Sequence, residues 1–191
     1  MVSGSGNGIM YYFQSTAQPY NIHPVQRLDR NTSGLILVAK QTHIQHRLIH
    51  ADKKNFKHIY LAVVKGVVAF GSHLIECPIA RAPGSIILRQ VSSTGQPAIT
   101  KYRRLRKLHQ ASLIELELYT GRTHQIRVHM SHIGHPLLGD DLYGGSVTQI
   151  NRQALHAGKL LLTHPVSGQP IVISSPLPAD FATLLKQLSL N

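Results

Sequence analysis

The stretch AITKYRRLRKLHQASLIELELY, residues 98–119, contains two strand-like runs, Ala98 to Leu108 and Ser112 to Tyr119. Short runs rich in β-branched, aromatic and aliphatic residues, bounded by polar ones, are what half-buried strands require. A third run, Ser85 to Val91, precedes them across Gly and Pro turns, a connection that favours antiparallel pairing. Downstream the period changes: from Thr123, Ile126, Met130 and Ile133 fall at i, i+4 and i+7, and Gly134 stands where a helix commonly stops.

Upstream, Ile59 to Val68 reads as a strand, Leu35 to Ala39 as a short buried one, and Thr42 as the cap of a helix running to about Ala51 with Ile44, Leu48 and Ile49 on one face. Ile9 to Gln14 has the character of a helix tail, and residues 1–8 read as loose. Toward the other end, Leu160 to Thr163 and Ile171 to Ile173 flank the turn-forming Pro165 to Pro170 as a hairpin. An amphipathic helix from Pro178 to Leu188, carrying Phe181, Leu184, Leu185 and Leu188, follows. The expected class is α+β, with a mixed, largely antiparallel sheet and flanking helices. The expected organisation is a single domain over residues 1–191, since this length suits one sizeable core.

Lys and Arg number 20 against 8 Asp and Glu, a formal net charge of +12 and a pI near 10.2. That imbalance calls for a polyanionic partner. The basic groups sit inside core-forming segments such as Lys101 to Lys107, which points to a folded positive surface. No apolar run is long enough to span a bilayer, and residues 1–8 lack the regions of a signal peptide, so the expected compartment is the cytoplasm. The single cysteine, Cys77, reads as a small core residue, with no internal disulfide open to it.

Two segments bear chemistry. In Gln26-Arg27-Leu28-Asp29-Arg30-Asn31-Thr32-Ser33-Gly34 one carboxylate stands between two arginines, whose charge favours an ionised nucleophile or base; a turn merely tied down by its arginines would look the same. In Tyr119-Thr120-Gly121-Arg122-Thr123-His124-Gln125-Ile126-Arg127-Val128-His129 the new helix opens. Thr123 and Arg127, four apart, share a face, and the helix start favours a phosphate; a solvated basic face is the plainer alternative. His124, His129, His132 and His135 crowd one stretch, but their spacing and the lack of a nearby Glu or Cys fit no metal set. Glycine patterns for dinucleotides or for ATP phosphates are absent.

Together these segments resemble the RluA-type pseudouridine synthase family. The first is similar to its Arg-Leu-Asp-Arg-x-Thr-Ser-Gly loop and the second to its Gly-Arg-Thr-His-Gln-x-Arg-x-His segment, continued by Ile133 to Leu137 and by Gly139-Asp140-Asp141-Leu142-Tyr143-Gly144. Lys57 to Gly66 resembles the family's Lys-x-Tyr-x-Ala strand, and Leu155-His156-Ala157, His164-Pro165 and the tail from Pro176 to Leu188 match as well. The resemblance spans about Pro24 to Leu188.

The resemblance implies an RNA pseudouridine synthase that flips its target nucleotide out of the RNA. Asp29 would be the catalytic aspartate, Arg127 its ion-pair partner, and Tyr60 the aromatic under the flipped base. Arg27 would hold the nucleotide open, with Arg30, Arg122 and His124 as further RNA contacts. It implies no metal or organic cofactor and RNA as partner, with ribosomal RNA slightly favoured over transfer RNA; a monomer is the default expectation. A DNA-binding regulator would need a recognition helix, and the Thr123 helix is better explained by the family motif. Two departures stand out: Gln26 replaces a usual His, and the early Lys-Pro-x-Gly strand expected before Ile9 is not in this sequence. A truncated, inactive RNA-binding relative is therefore the alternative.

Overall fold

The computed structural model describes residues 4–16, 21–51 and 56–189. In chain order its elements are α1 (Gly4–Ser15), β1 (His23–Pro24), β2 (Ser33–Gly34), β3 (Val38–Ala39), α2 (Thr42–Ile49), β4 (Phe56–Lys65), β5 (Ser72–Glu76), β6 (Ile79–Arg81), β7 (Arg89–Val91), β8 (Ile99–Leu108) and β9 (Ala111–Leu118). Then follow α3 (Gln125–His132), a short 3-10 turn (Asp141–Tyr143), β10 (Leu155–Thr163), β11 (Pro170–Ser174) and α4 (Ala179–Ser189). The main sheet runs β11-β10-β4-β9-β8-β5, every neighbouring pair antiparallel, with β2 added parallel to β10. This is the mixed, largely antiparallel α+β arrangement expected from the sequence.

Period-2 alternation on the central strand β4 builds both layers. Tyr60, Ala62 and Val64 point into a cluster with Ile126 and Met130 of α3, while Leu61 and Val63 face a second cluster with Phe181, Leu184, Leu185 and Leu188 of α4. The two helices thus cover opposite faces, and Tyr60 is committed to the α3 face. Thr100 and Tyr102 of β8 also serve that face, Thr100 through hydrogen bonds to Gln125 and His129. Lys101 and Arg103 therefore project to the other side, where Arg103 pairs with Glu115 at 2.7 Å across the β8–β9 ladder. Cys77 is partly buried against the α3-side cluster, as a small apolar residue would be.

Several elements differ from their sequence reading. Residues 1–3 lie outside the described set, but from Gly4 the segment read as loose is helical, and Phe13 anchors it by burial. Of Leu35 to Ala39 only Val38 and Ala39 are in a strand, because Ser33–Gly34 instead takes the pairing on β10. Thr42 is inside α2, not its cap; Gln41 precedes the helix without a side-chain cap, and Thr42 Oγ1 turns to His23 at 3.4 Å. Ile49, 51% exposed, is off the apolar face of α2. The strand read to Val68 ends at Lys65, where Gly66 turns at φ 79°. Ser85 begins no strand: its Oγ accepts from the amides of Ile87 and Leu88, a local turn that competes with the ladder until Arg89.

Candidate active site

The loop bearing Asp29 is fixed from below by β10. Ser33 and Gly34 pair with His156 and Ala157, and Leu35 N–H donates to the Ala157 carbonyl at 2.9 Å. A Cβ on Gly34 would run into that same carbonyl oxygen, and φ there is 110°, so this position requires glycine. Above the contact the chain turns back through Asn31 at φ 68°, with Thr32 N–H donating to the Asp29 carbonyl at 3.0 Å. Gln153 Nε2 donates to Arg30 O at 2.6 Å and Arg152 Nη1 to Asn31 O at 3.2 Å. With its backbone held this way, the side chain of Asp29 is left half-exposed on the wall of a cavity of about 860 Å³.

Arg127 approaches from α3, behind that wall. Its Nη1 lies 4.0 Å from Asp29 Oδ2, whereas its Nε and Nη2 donate to Asp140 Oδ2 and Oδ1, both at 2.7 Å. Arg127 is thus shared, and its close, two-pronged partner is Asp140, whose side chain has no solvent exposure. The expected Arg127–Asp29 ion pair is present, as the looser of the two contacts. The guanidinium also lies over the Tyr143 ring at 4.9 Å. Burial opposes its charge, and the hydrogen bonds to Asp140 and the nearby Asp29 carboxylate outweigh burial, raising its pKa above the ordinary arginine value.

Tyr60, only 5% exposed, lines the cavity, and its hydroxyl meets His58 Nδ1 at 3.0 Å. Burial, and then the Asp29 charge, push the phenol well above its usual range, so it stays neutral. Burial also lowers His58 to about 4, which keeps that ring uncharged; its Nε2 has no hydrogen-bond partner among the described residues. Gln26 lines the same cavity with both amide heteroatoms shielded and likewise without a partner.

Arg27 and Arg30 stand exposed at the cavity rim; Arg122, also exposed, donates from Nε to Pro97 O at 3.0 Å. His124 takes φ 57° just before α3 and places Nδ1 2.8 Å from the Tyr143 hydroxyl, which accepts from Arg89 N–H at 3.1 Å. Burial, the largest influence, lowers the pKa of the His124 ring. Thr123 lies before the helix, not on a shared face with Arg127. Nor is α3 a solvated basic face: Gln125 to Met130 are all buried. Gln125 Oε1 takes up Arg122 N–H at 2.9 Å, and residues 121–126 line the cavity. Both nitrogens of His129 are engaged, by Thr100 Oγ1 and by the Cys77 carbonyl, each at 2.9 Å.

Asp140, Tyr143 and His58 were not singled out from sequence as site residues. Asp140 and Tyr143 lie inside the quoted 139–144 motif, and a carboxylate set beside Gly139 in a chain with 8 acids was the available signal.

The profile of the family described as RNA pseudouridylate synthase matches residues 10–132. The RNA pseudouridine synthase YjbO of Bacillus subtilis is 44% identical over 187 residues, which cover 96% of this chain and 66% of the relative. Ribosomal large subunit pseudouridine synthase D of Haemophilus ducreyi is 40% identical, covering 95% and 60% respectively. Among solved structures, human RNA Pseudouridylate Synthase Domain Containing 1 superposes with a TM-score of 0.68 at 28% identity, over 83% of this chain and 70% of the other. The chain belongs to the RNA pseudouridylate synthase family, of the RluA type that its motifs resemble. It spans 60–66% of the length of these curated relatives. No helix among the described residues is long and apolar enough to cross a membrane.

Proposed function

We propose that this chain isomerises uridine to pseudouridine in RNA, with Asp29 as the catalytic residue, as one catalytic unit acting as a cytoplasmic monomer. The observation that carries the reading is the division of labour around Arg127: Asp140 holds the arginine with two short bonds, leaving Asp29 beside it and open to the cavity.

In the reaction the C–N bond between uracil and ribose breaks and the freed base turns within the pocket. Its C5 then bonds to the ribose carbon, C5 gives up its proton, and the former glycosidic nitrogen gains one. Asp29 serves as nucleophile or base toward the sugar, and Arg127 acts by charge and position. Tyr60 supplies a neutral ring for the base to lie against. A base inside folded RNA must first leave its stack, which costs a few kcal/mol; phosphate contacts from Arg27, Arg30, Arg122 and His124 at the rim offset that cost. Ribosomal RNA is the favoured substrate class, on the strength of relatives whose names carry it.

The test is pseudouridine mapping on total RNA from cells lacking the protein, complemented with the native chain or with Asp29→Asn. Sites restored by the native chain alone establish the activity and name the RNA. If a folded native chain restores none, the reading gives way to an RNA-binding relative without catalysis.

A further inference from the structure

A second groove, of about 390 Å³, opens beside the active-site cavity, and it is built around three arginines. Arg81 and Arg89 are direct cross-strand partners in the β6–β7 hairpin. Residues directly opposite on an antiparallel pair present their side chains to the same face, where like charges repel. Arg122 reaches the groove from the segment before α3. No Asp or Glu lines the groove, and none of the three arginines is in an ion pair among the described residues. The polar partners found for their side chains are neutral carbonyls: those of residues 86 to 88 for Arg89 and that of Pro97 for Arg122. Three uncompensated guanidinium groups, with Thr94 and Thr123 also in the lining, are chemically matched to one tetrahedral dianion or diester.

The groove is also tied to the catalytic cavity. Arg122 and Thr123 line both. Arg89 N–H donates to the Tyr143 hydroxyl, and the Tyr143 ring lies under the Arg127 guanidinium that faces Asp29. Resting on the reading that the chain acts on RNA, we propose that this groove seats one backbone phosphate of the RNA strand, close along the strand to the uridine held in the cavity. The phosphate relieves the Arg81–Arg89 repulsion and fixes the register of the strand across Arg122.

The test uses the full chain and a nine-nucleotide RNA with one central uridine among adenosines, made with a neutral methylphosphonate at each linkage in turn. Dissociation constants are read by fluorescence anisotropy for the native chain, Arg81→Gln, Arg81→Lys and, as a charge control distant in sequence, Lys186→Gln. The native chain should lose about tenfold in affinity at one linkage near the uridine. Arg81→Gln should lose about tenfold on the unmodified strand and nothing more at that linkage, with its log K against log salt slope reduced by about 0.7. Arg81→Lys should recover part of the loss. Equal losses at all linkages, additivity of Arg81→Gln with every methylphosphonate, the same behaviour from Lys186→Gln, or no binding of the strand would each overturn the site. Because the readout is binding, a chain that modifies RNA in cells but shows no such pattern loses the groove and keeps its proposed activity. A chain that modifies nothing leaves the groove to be judged on binding alone.

Discussion

Arg127 lies between two carboxylates in opposite circumstances. Asp140 comes from the turn after α3, is fully buried, and takes two hydrogen bonds of 2.7 Å. Its turn packs closely: Gly139 sits at φ 76°, and a Cβ there would strike the Arg152 carbonyl oxygen. Asp29 comes from a loop at the cavity wall, keeps 23% of its side chain exposed, and approaches the same guanidinium only to 4.0 Å. A buried arginine needs a compensating charge to exist at all, and a reactive carboxylate needs its oxygens free. One aspartate cannot do both. On the proposed reading, Asp140 takes the first task and Asp29 the second.

The strongest way to break this division is to exchange the consequences. Asp29→Asn should lower pseudouridine formation by at least about a thousandfold, while chemical denaturation stays within about 0.5 kcal/mol of the native chain. Asp140→Asn should instead cost about 3–5 kcal/mol of stability, the usual result of stranding a buried charge, and should lose activity with it. Equal stability losses in the two variants would refute the assignment.

This pair also marks where the sequence stops being legible. Long runs with a clear inside and outside, such as β4, β8, β9 and α4, could be read directly because period and burial coincide over many residues, whereas only Leu160 to Thr163 of β10 could be read, and β11 is mostly exposed. β5 and β6 could not. β6 has three residues, and β5 reads Ser72-His73-Leu74-Ile75-Glu76 with Leu74 52% exposed, so neither length nor alternation rises above a loop. Asp29 was conspicuous between Arg27 and Arg30, whereas Asp140 bonds a residue 13 positions earlier, and nothing local in sequence reports such a pair. The basic run Lys101 to Lys107 reads as a folded positive surface, but Lys101 and Arg103 lie on the face away from the cavity, and two of the three groove arginines, Arg81 and Arg89, come from a hairpin that the sequence barely shows.

A smaller effect sharpens the contrast from the cavity side. The folded chain keeps His58 neutral until about pH 4, while an unfolded histidine protonates near 6.5. Between those values the unfolded chain binds a proton that the folded chain does not, so stability rises with pH through this window and is lost as pH falls. The loss amounts to about 3 kcal/mol by the acid end. Urea denaturation of the native chain and of His58→Gln from pH 7 to pH 4 checks it, the variant being expected to give the flatter profile. If both profiles fall in parallel, the acid sensitivity arises elsewhere.

The smallest expected effect concerns Gln26, on the same loop as Asp29. A buried amide whose donor and acceptor both lack partners destabilises the fold, and an apolar group of similar size removes that liability. Gln26→Leu should therefore be neutral or stabilising by about 1 kcal/mol, with pseudouridine formation within about twofold of native if the amide meets only protein. A variant of unchanged stability that loses activity tenfold would show that the amide turns toward the substrate. The loop of Asp29 would then spend stability on function at two positions, while the turn of Asp140 remained purely a support.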